Sequence, residues 1–525
     1  MLEAGPPVDP SRDFRSHEWP YQSKYRGRLS PREQEYHSYV ADEYTRPFFV
    51  DKRQHPYTTP QGKPYEWVRA RVVGGRTLVW GRGVPRCSDL NFKARSRDGY
   101  GEDWPLSYKD LEPHYDKVER LIGVSGEDSG LWHAPSGKFM KAFKFTCAEH
   151  LLRRGARQLG RPVVQYPTAV ITQDHYGRPR CHHCSIHNCG RGCDSGAMFN
   201  SVYVTLPNAA QSRYFTLRPN AVVQQITIDG DGKAKGVIFI DRLTHETHEV
   251  LAKIVVLGAS SLESTRILLN SKSRVYPNGL ANSSGLLGHY LHDHTMTGSI
   301  IGFAPELYGA EVVNDDAKPC GFYMPRFRNV DTREPHYIRG FHFSGSAGAT
   351  LFPWYARELN DLFGTSLKRE IRKLFPAVIS MGGFGEALPR KECSVSIDRD
   401  VVDAWGIPVL SINATWGDNE LRMAKDIAET AEETFRAAGF EILSVTRSLW
   451  HPGASIHEVG TARMGHDPRT SVLNPFCQSH DIKNLFVVDG SCFVSSGNQN
   501  VTLTILALCD RACEYLVDEF RRGNL

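Results

Sequence analysis

The alternation of apolar and polar positions divides the chain into short strand-like runs and a few long helical stretches. FTLRPNAVVQQITI (215–228) and AKGVIFID (234–241) read as strands, with the hairpin signal GDGK between them. KIVVLGASSLESTRILLNS (253–271) reads as a buried strand, a small-residue turn and a helix. PLSYKDLEPHYDKVERL (105–121) predicts one or two helices, with Ser107 and Asp110 as caps. A long helix is predicted over DNELRMAKDIAETAEETFRAAG. Asp418 is placed to cap its start and Gly439 its end. Leu421, Ala424, Ile427, Ala428, Ala431 and Phe435 give it one apolar face. Short strands (PAVISMGGF, CSVSIDRD, PVLSIN) surround it in the region 295–450, and a last helix is expected over 501–522. Residues 8–70 are polar and rich in Arg, Tyr and Pro, and read as an extended excursion over a surface.

Composition narrows the class. A chain of 525 residues suggests more than one domain, or one large domain carrying an insert. Its 40% hydrophobic and 23% charged content is that of an ordinary globular protein with a sizeable core. A net charge of +4 is small for this length and argues against a nucleic-acid surface. No apolar run is long enough to span a bilayer. No compartment is readable: both cytoplasm and periplasm remain open, since an export signal would precede Met1.

Of 12 cysteines, eight stand singly and most of these read as buried small hydrophobes. The other four, Cys181, Cys184, Cys189 and Cys193, crowd into CHHCSIHNCGRGC. That density is a metal or redox signal. With His182, His183 and His187 nearby, zinc is one candidate, and an unmetallated loop is another.

Four segments suggest cofactor chemistry. MLEAGPP opens as the end of a buried strand, with an acid, Glu3, before a chain break. In a dinucleotide-binding fold an acid there bonds the adenosine ribose. NLFVVDGS ends an apolar strand in Asp489–Gly490, where bare backbone lets a phosphorylated cofactor approach. GNQNVTLTILAL then starts a helix, and His457 precedes the GTARMG turn.

Together these segments resemble the glucose-methanol-choline (GMC) flavin oxidoreductases. The C-terminal likeness covers HEVGTARMG, NLFVVDGS and GNQNVTLTI. VVGGRTLVWGR, with Gly74, Gly75 and Thr77, resembles the first family signature, along the flavin ring. GASSLESTRILLNS resembles the second. RPNAVVQQI, with Val222, resembles a strand that holds the adenine, and NSSGLLGHYLHDH resembles the family's glycine-then-DH segment. The resemblance implies FAD as cofactor, His457 as the base that takes the alcohol proton, and Asn500 at the family's second polar position. A GxGxxG loop, which the family carries about 30 residues before the ribose acid, is not found in the chain. The expectation is a sequence that starts inside the cofactor fold, against the reading of a degenerate member that binds no FAD.

The cysteine-rich insert, followed by CDSGAMFNS, resembles the FAD-dependent gluconate, fructose and glucose dehydrogenase catalytic subunits. This implies an iron–sulfur cluster on Cys181, Cys184, Cys189 and Cys193, and a cytochrome or other electron-acceptor subunit as partner. The expected fold is α/β: an FAD-binding Rossmann-like domain, N-terminally incomplete, with an inserted sheet-plus-helix substrate domain. Residues 1–95, 200–295 and 451–525 are assigned to the first, and 96–199 and 296–450 to the second. The expected activity is oxidation of a CH–OH group of a sugar or glycoside, with electrons passed to a non-NAD acceptor. An alcohol oxidase or choline-like dehydrogenase with structural cysteines is the enzymatic alternative, and a cofactor-free homologue the other.

Overall fold

The computed structural model describes residues 1–14, 29–182, 192–312, 321–347 and 361–525. Among the described residues thirteen strands are formed: β1 (Val164–Gln165), β2 (Ala221–Ile228), β3 (Ala234–Asp241), β4 (Thr247–Leu251), β5 (Val255–Leu257), β6 (His294–Phe303), β7 (Phe322–Met324), β8 (Phe341–Ala347), β9 (Val378–Glu386), β10 (Ser394–Val402), β11 (Pro408–Asn413), β12 (Glu441–Val445) and β13 (Leu485–Val487). The helices of ten residues or more are α1 (Tyr108–Ile122), α2 (Cys147–Gln158), α3 (Ser261–Asn270), α4 (Gly364–Leu374), α5 (Asp418–Ala437) and α6 (Thr502–Arg521). The stretch 8–70 is less extended than its composition suggests, because Asp9 and Ser30 cap short helices at Pro10–Asp13 and Pro31–Tyr36.

Two large cores organise the described residues. In the first, β13 pairs with β5 in parallel, with Leu485 opposite Val255, and their side chains pack with α3, α6 and the hairpin β10–β11. The meander β2-β3-β4 lies nearby, joined by Ile226. Met1–Gly5 runs beside the entrance to β2: Glu3 N–H donates to Arg218 O at 2.9 Å and Ala221 N–H to Glu3 O at 2.8 Å. β13 is buried on both sides, which is why LFVV lacks alternation, whereas β5 turns Val255 and Leu257 inward and leaves Val256 exposed.

The second core joins α2 and α5 to one face of a six-stranded sheet, ordered β1-β7-β8-β9-β6-β12. Its pairs are antiparallel, and its residues alternate between faces. Phe341, Phe343, Ile379 and Met381 face the helices. Glycines let α5 come close: a Cβ at Gly383 would fall 2.2 Å from Ile427, and one at Gly385 would fall 2.5 Å from Met423.

The α5 helix forms where the pattern places it, with two corrections. Gly417, not Asp418, is the N-cap, and Asp418 is the first helical residue. Glu420 reaches back to accept from Gly417 N–H at 2.7 Å and from Arg390 at 2.6 Å. That turns Glu420 inward and leaves Leu421 54% exposed, so Met423 rather than Leu421 completes the buried face. Gly439 ends the helix at φ +79°, a left-handed value that glycine adopts without steric cost. Ser107 and Asp110 form the expected capping box on α1.

Candidate active site

Three segments are clamped together around His457. Gly460 N–H donates to Gly490 O at 3.0 Å and Ala462 N–H to Ser491 O at 2.9 Å, so the turn after His457 runs along the end of β13. Arg76 pairs with Glu458 at 2.8 Å and donates to Ile456 O at 3.3 Å, which ties the Gly74–Thr77 turn to the same segment. Ile456 is held at φ +63°, a costly backbone for a β-branched residue that only a firmly built surround sustains. Gly74 and Gly75 both adopt positive φ, and Thr77 Oγ1 donates to Gly74 O and accepts from Ser201 N–H.

Asp489 is buried at the end of β13. It accepts from Ser264 Oγ and from both Ser491 N–H and Oγ, at 3.0 and 2.7 Å, and burial pushes its carboxyl upward. Gly490 is required by packing, since a Cβ would lie 2.6 Å from Ser261 Oγ. Gly258, at the end of β5, is different. Its Cβ would meet only Val488, at 3.8 Å, so bare backbone faces open space at the paired strand ends. Such a cradle of backbone beside small residues fits a dinucleotide cofactor. Glu3 and Val222 form a second group. Glu3 Oε1 accepts from Gly5 N–H at 2.8 Å, burial raises its pKa, and Val222 packs with Ala4, Trp405 and Ile407.

His457 and Asn500 meet directly, with Nε2 and Nδ2 3.1 Å apart. The wider network sets the proton positions. Gly497 O can only accept, so His294 Nε2, 2.9 Å away, carries a hydrogen. The neutral His294 ring then offers a lone pair at Nδ1, which lies 3.0 Å from His457 Nδ1. His457 must donate there, which leaves its Nε2 as the acceptor. Asn500 donates to that nitrogen, and the Tyr166 hydroxyl donates to Asn500 Oδ1.

The charge environment keeps both rings neutral. Burial lowers the His294 pKa to about 4. Burial, with like-charge coupling to His294, His342 and Arg76, holds His457 well below 6.5. Asp293 lies beneath, accepting from His294 N–H at 2.8 Å, His457 N–H at 3.1 Å and Ser455 Oγ, and burial pushes it up to about 7.

The six-stranded sheet supplies the rest of the surround. Tyr166 stacks on Tyr323 at 5.2 Å, Tyr323 lies 5.1 Å from His342, His342 stacks on Phe384 at 5.2 Å, and Phe384 lies 5.9 Å from His457. Register explains the grouping. His342 pairs with Phe384, and Phe384 with Met296, two residues beyond His294. Tyr323 pairs with Ser344, two residues beyond His342. These side chains therefore share the sheet face opposite α5.

The sequence pattern reached His457 and Asn500 but not Tyr166, Tyr323, His342 or Phe384. The HDH triplet that holds His294 was the one available signal. Of the four clustered cysteines, Cys184 and Cys189 lie outside the described residues. Cys181 and Cys193 are half-buried, and Cys193 Sγ lies 3.3 Å from Ser195 Oγ.

The fold has a counterpart among solved structures. It matches pyridoxine 4-oxidase from Mesorbium loti with a TM-score of 0.63, covering 98% of this chain and 93% of that one at 16% identity. The GMC oxidoreductase family models match residues 57–296 and 389–509, and the chain belongs to that family. It is 31% identical to 2-methyl-1,2-propanediol dehydrogenase of Mycolicibacterium austroafricanum, over 85% of this chain and 81% of the relative. It is 28% identical to the fructose dehydrogenase large subunit of Gluconobacter japonicus, over 91% and 86%. The protein is an FAD-dependent oxidoreductase acting on CH–OH groups.

Proposed function

We propose that the protein oxidises a CH–OH group of a sugar or related polyol, with His457 as the base and a non-NAD acceptor downstream. The observation that carries this is the fixed polarity from Gly497 O through His294 to His457, which aims a lone pair at Nε2 beside the Asn500 amide. Oxidising an unactivated alcohol needs the hydroxyl proton removed as the hydride leaves. His457 Nε2 takes that proton, and Asn500 Nδ2–H steadies the developing alkoxide. His294 acts as a positioning residue by holding the His457 ring in the required tautomer. FAD, when bound, supplies the hydride acceptor. Glu3 would hold its ribose, the strand at Val222 its adenine, and Gly74, Gly75, Thr77 and Asp489–Gly490 its diphosphate and ring.

The named activities of the two relatives support the substrate class: a 1,2-diol and fructose. The domain division at 95, 199, 295 and 450 stands as part of this reading. The test is anaerobic. Mixed with a polyol or sugar panel, the FAD-loaded protein loses its oxidised-flavin absorbance with no NAD present. Absence of bleaching by every alcohol overturns the reading.

For Cys181, Cys184, Cys189 and Cys193 we retain an iron–sulfur cluster that drains the reduced flavin toward an electron-acceptor subunit. Their sequence density supports it. Anaerobically purified protein is expected to contain iron and acid-labile sulfide, and Cys193→Ser to remove both. Zinc without sulfide rejects the relay.

A further inference from the structure

The hydrogen bonds around His457 all run in one direction. Tyr166 Oη–H donates to Asn500 Oδ1, Asn500 Nδ2–H to His457 Nε2, His457 Nδ1–H to His294 Nδ1, and His294 Nε2–H to Gly497 O. The carbonyl, which can only accept, sets the sense at one end. A phenol stands at the other. Tyr166, Asn500 and His457 are half-buried, so this end of the chain is the one a ligand can approach.

Tyr166 is built in firmly. Its N–H donates to Gly321 O at 3.2 Å, and the carbonyl of the next residue, Pro167, accepts from Val84 N–H at 2.8 Å. Its ring stacks on Tyr323 at 5.2 Å with the planes 1° apart. The hydroxyl reaches over bare backbone, since a Cβ at Gly83 would fall 2.5 Å from Tyr166 Oη. Gly83 is not among the glycines at positive φ, so the hydroxyl above it, rather than the local backbone, requires glycine there.

Asn500 is held less securely. An amide turns easily about its last torsion. Among the described residues the Asn500 side chain makes two hydrogen bonds, one to Tyr166 and one to His457. An alcohol that gives its proton to His457 Nε2, with its oxygen steadied by Asn500 Nδ2–H, takes the place of the second bond. The first is then what keeps the amide in position.

We propose that Tyr166 is a positioning residue, which keeps Asn500 Nδ2–H aimed at the alkoxide once the substrate has displaced that amide from His457. The inference rests on the reading of His457 as base and Asn500 as alkoxide donor. The anchor is needed most as negative charge develops on the substrate oxygen, so its loss falls on kcat rather than on KM.

The experiment is a double-mutant cycle read by anaerobic stopped-flow reduction of the FAD-loaded proteins, with the best alcohol of the panel. Tyr166→Phe keeps the ring and its stacking and removes only the donor. It is expected to lower the limiting reduction rate by about ten- to a hundredfold, with the apparent substrate Kd changed less than about threefold. In Asn500→Ala there is no amide left to hold, so adding Tyr166→Phe is expected to cost less than about twofold. A residue that served the scaffold alone, or that touched the substrate itself, would cost the same factor in both backgrounds. Reduction of Tyr166→Phe as fast as of the unmodified protein, or an equal loss with and without Asn500, overturns the inference and leaves the His457 reading intact. Reduction of Asn500→Ala as fast as of the unmodified protein removes the alkoxide donor from the reading and overturns the inference with it.

Discussion

His457→Ala is expected to slow flavin reduction by about two to four orders of magnitude, the usual worth of a general base, while the flavin stays bound. The reasoning is positional. His457 is the ring whose Nε2 faces Asn500 with its lone pair free of any carbonyl, and its Nδ1–H is committed to His294. Removing the ring leaves the alkoxide-steadying amide but nothing to take the proton. Asn500→Ala is expected to cost less, since it removes one donor and leaves the base. The pH profile checks the same claim independently. A base must be unprotonated to act, and burial holds the His457 pKa well below 6.5. The unmodified protein should therefore keep its rate from pH 8 down past 6.5 and lose it only on further acidification. A single protonation step at or above 6.5, or stopped-flow reduction unaffected by His457→Ala, assigns the base to another group.

The second large effect concerns stability. Glu119→Ala is expected to lower the unfolding free energy by about 3–5 kcal/mol, read as a shift in denaturation midpoint. Glu119 on α1 is fully buried and grips the buried Arg86 guanidinium with both oxygens, at 2.8 and 2.6 Å. Glu119 Oε2 also accepts from Lys138 N–H at 2.8 Å. Truncation strands a buried cation whose other carboxylate partner, Asp116 at 2.6 Å, is on the more exposed side. Losing a partner in that setting costs far more than the intact pair contributes. Glu119→Gln keeps the shape and one acceptor, so a smaller loss is expected. Equal midpoints for Glu119→Ala and the unmodified protein would show that Arg86 finds water or another acid when unfolding is probed.

The parts legible in the sequence are those fixed by local chemistry. Ser107 and Asp110 cap α1 because both partners sit within one turn. His457 and Asn500 could be singled out because each lies in a compact motif whose local pattern reveals a turn. The polar network around them could not. Tyr323, His342 and Phe384 come from three separate strands, and only the pairing of His342 with Phe384 and of Tyr323 with Ser344 puts them on one face. A one-residue slip would send all three toward α5. Leu421 misled for a related reason. Period alone placed it on the apolar face, but the carboxylate of Glu420 has bonds to make inside, at Gly417, Leu388 and Arg390. Asp418 misled by one residue because the Gly417 backbone can take the cap position with Glu420 serving it.

The glycines under α5 have a consequence for how such an enzyme diversifies. Gly383 and Gly385 on one side of β9 are committed to Ile427 and Met423, while Phe384 between them points the other way. Replacing either glycine disturbs the packing of α5 on the sheet; replacing Phe384 leaves that packing in place and alters the surround of His457. A lineage carrying this sheet can therefore vary the surround of His457 at alternate positions of β9 without a compensating change in the frame.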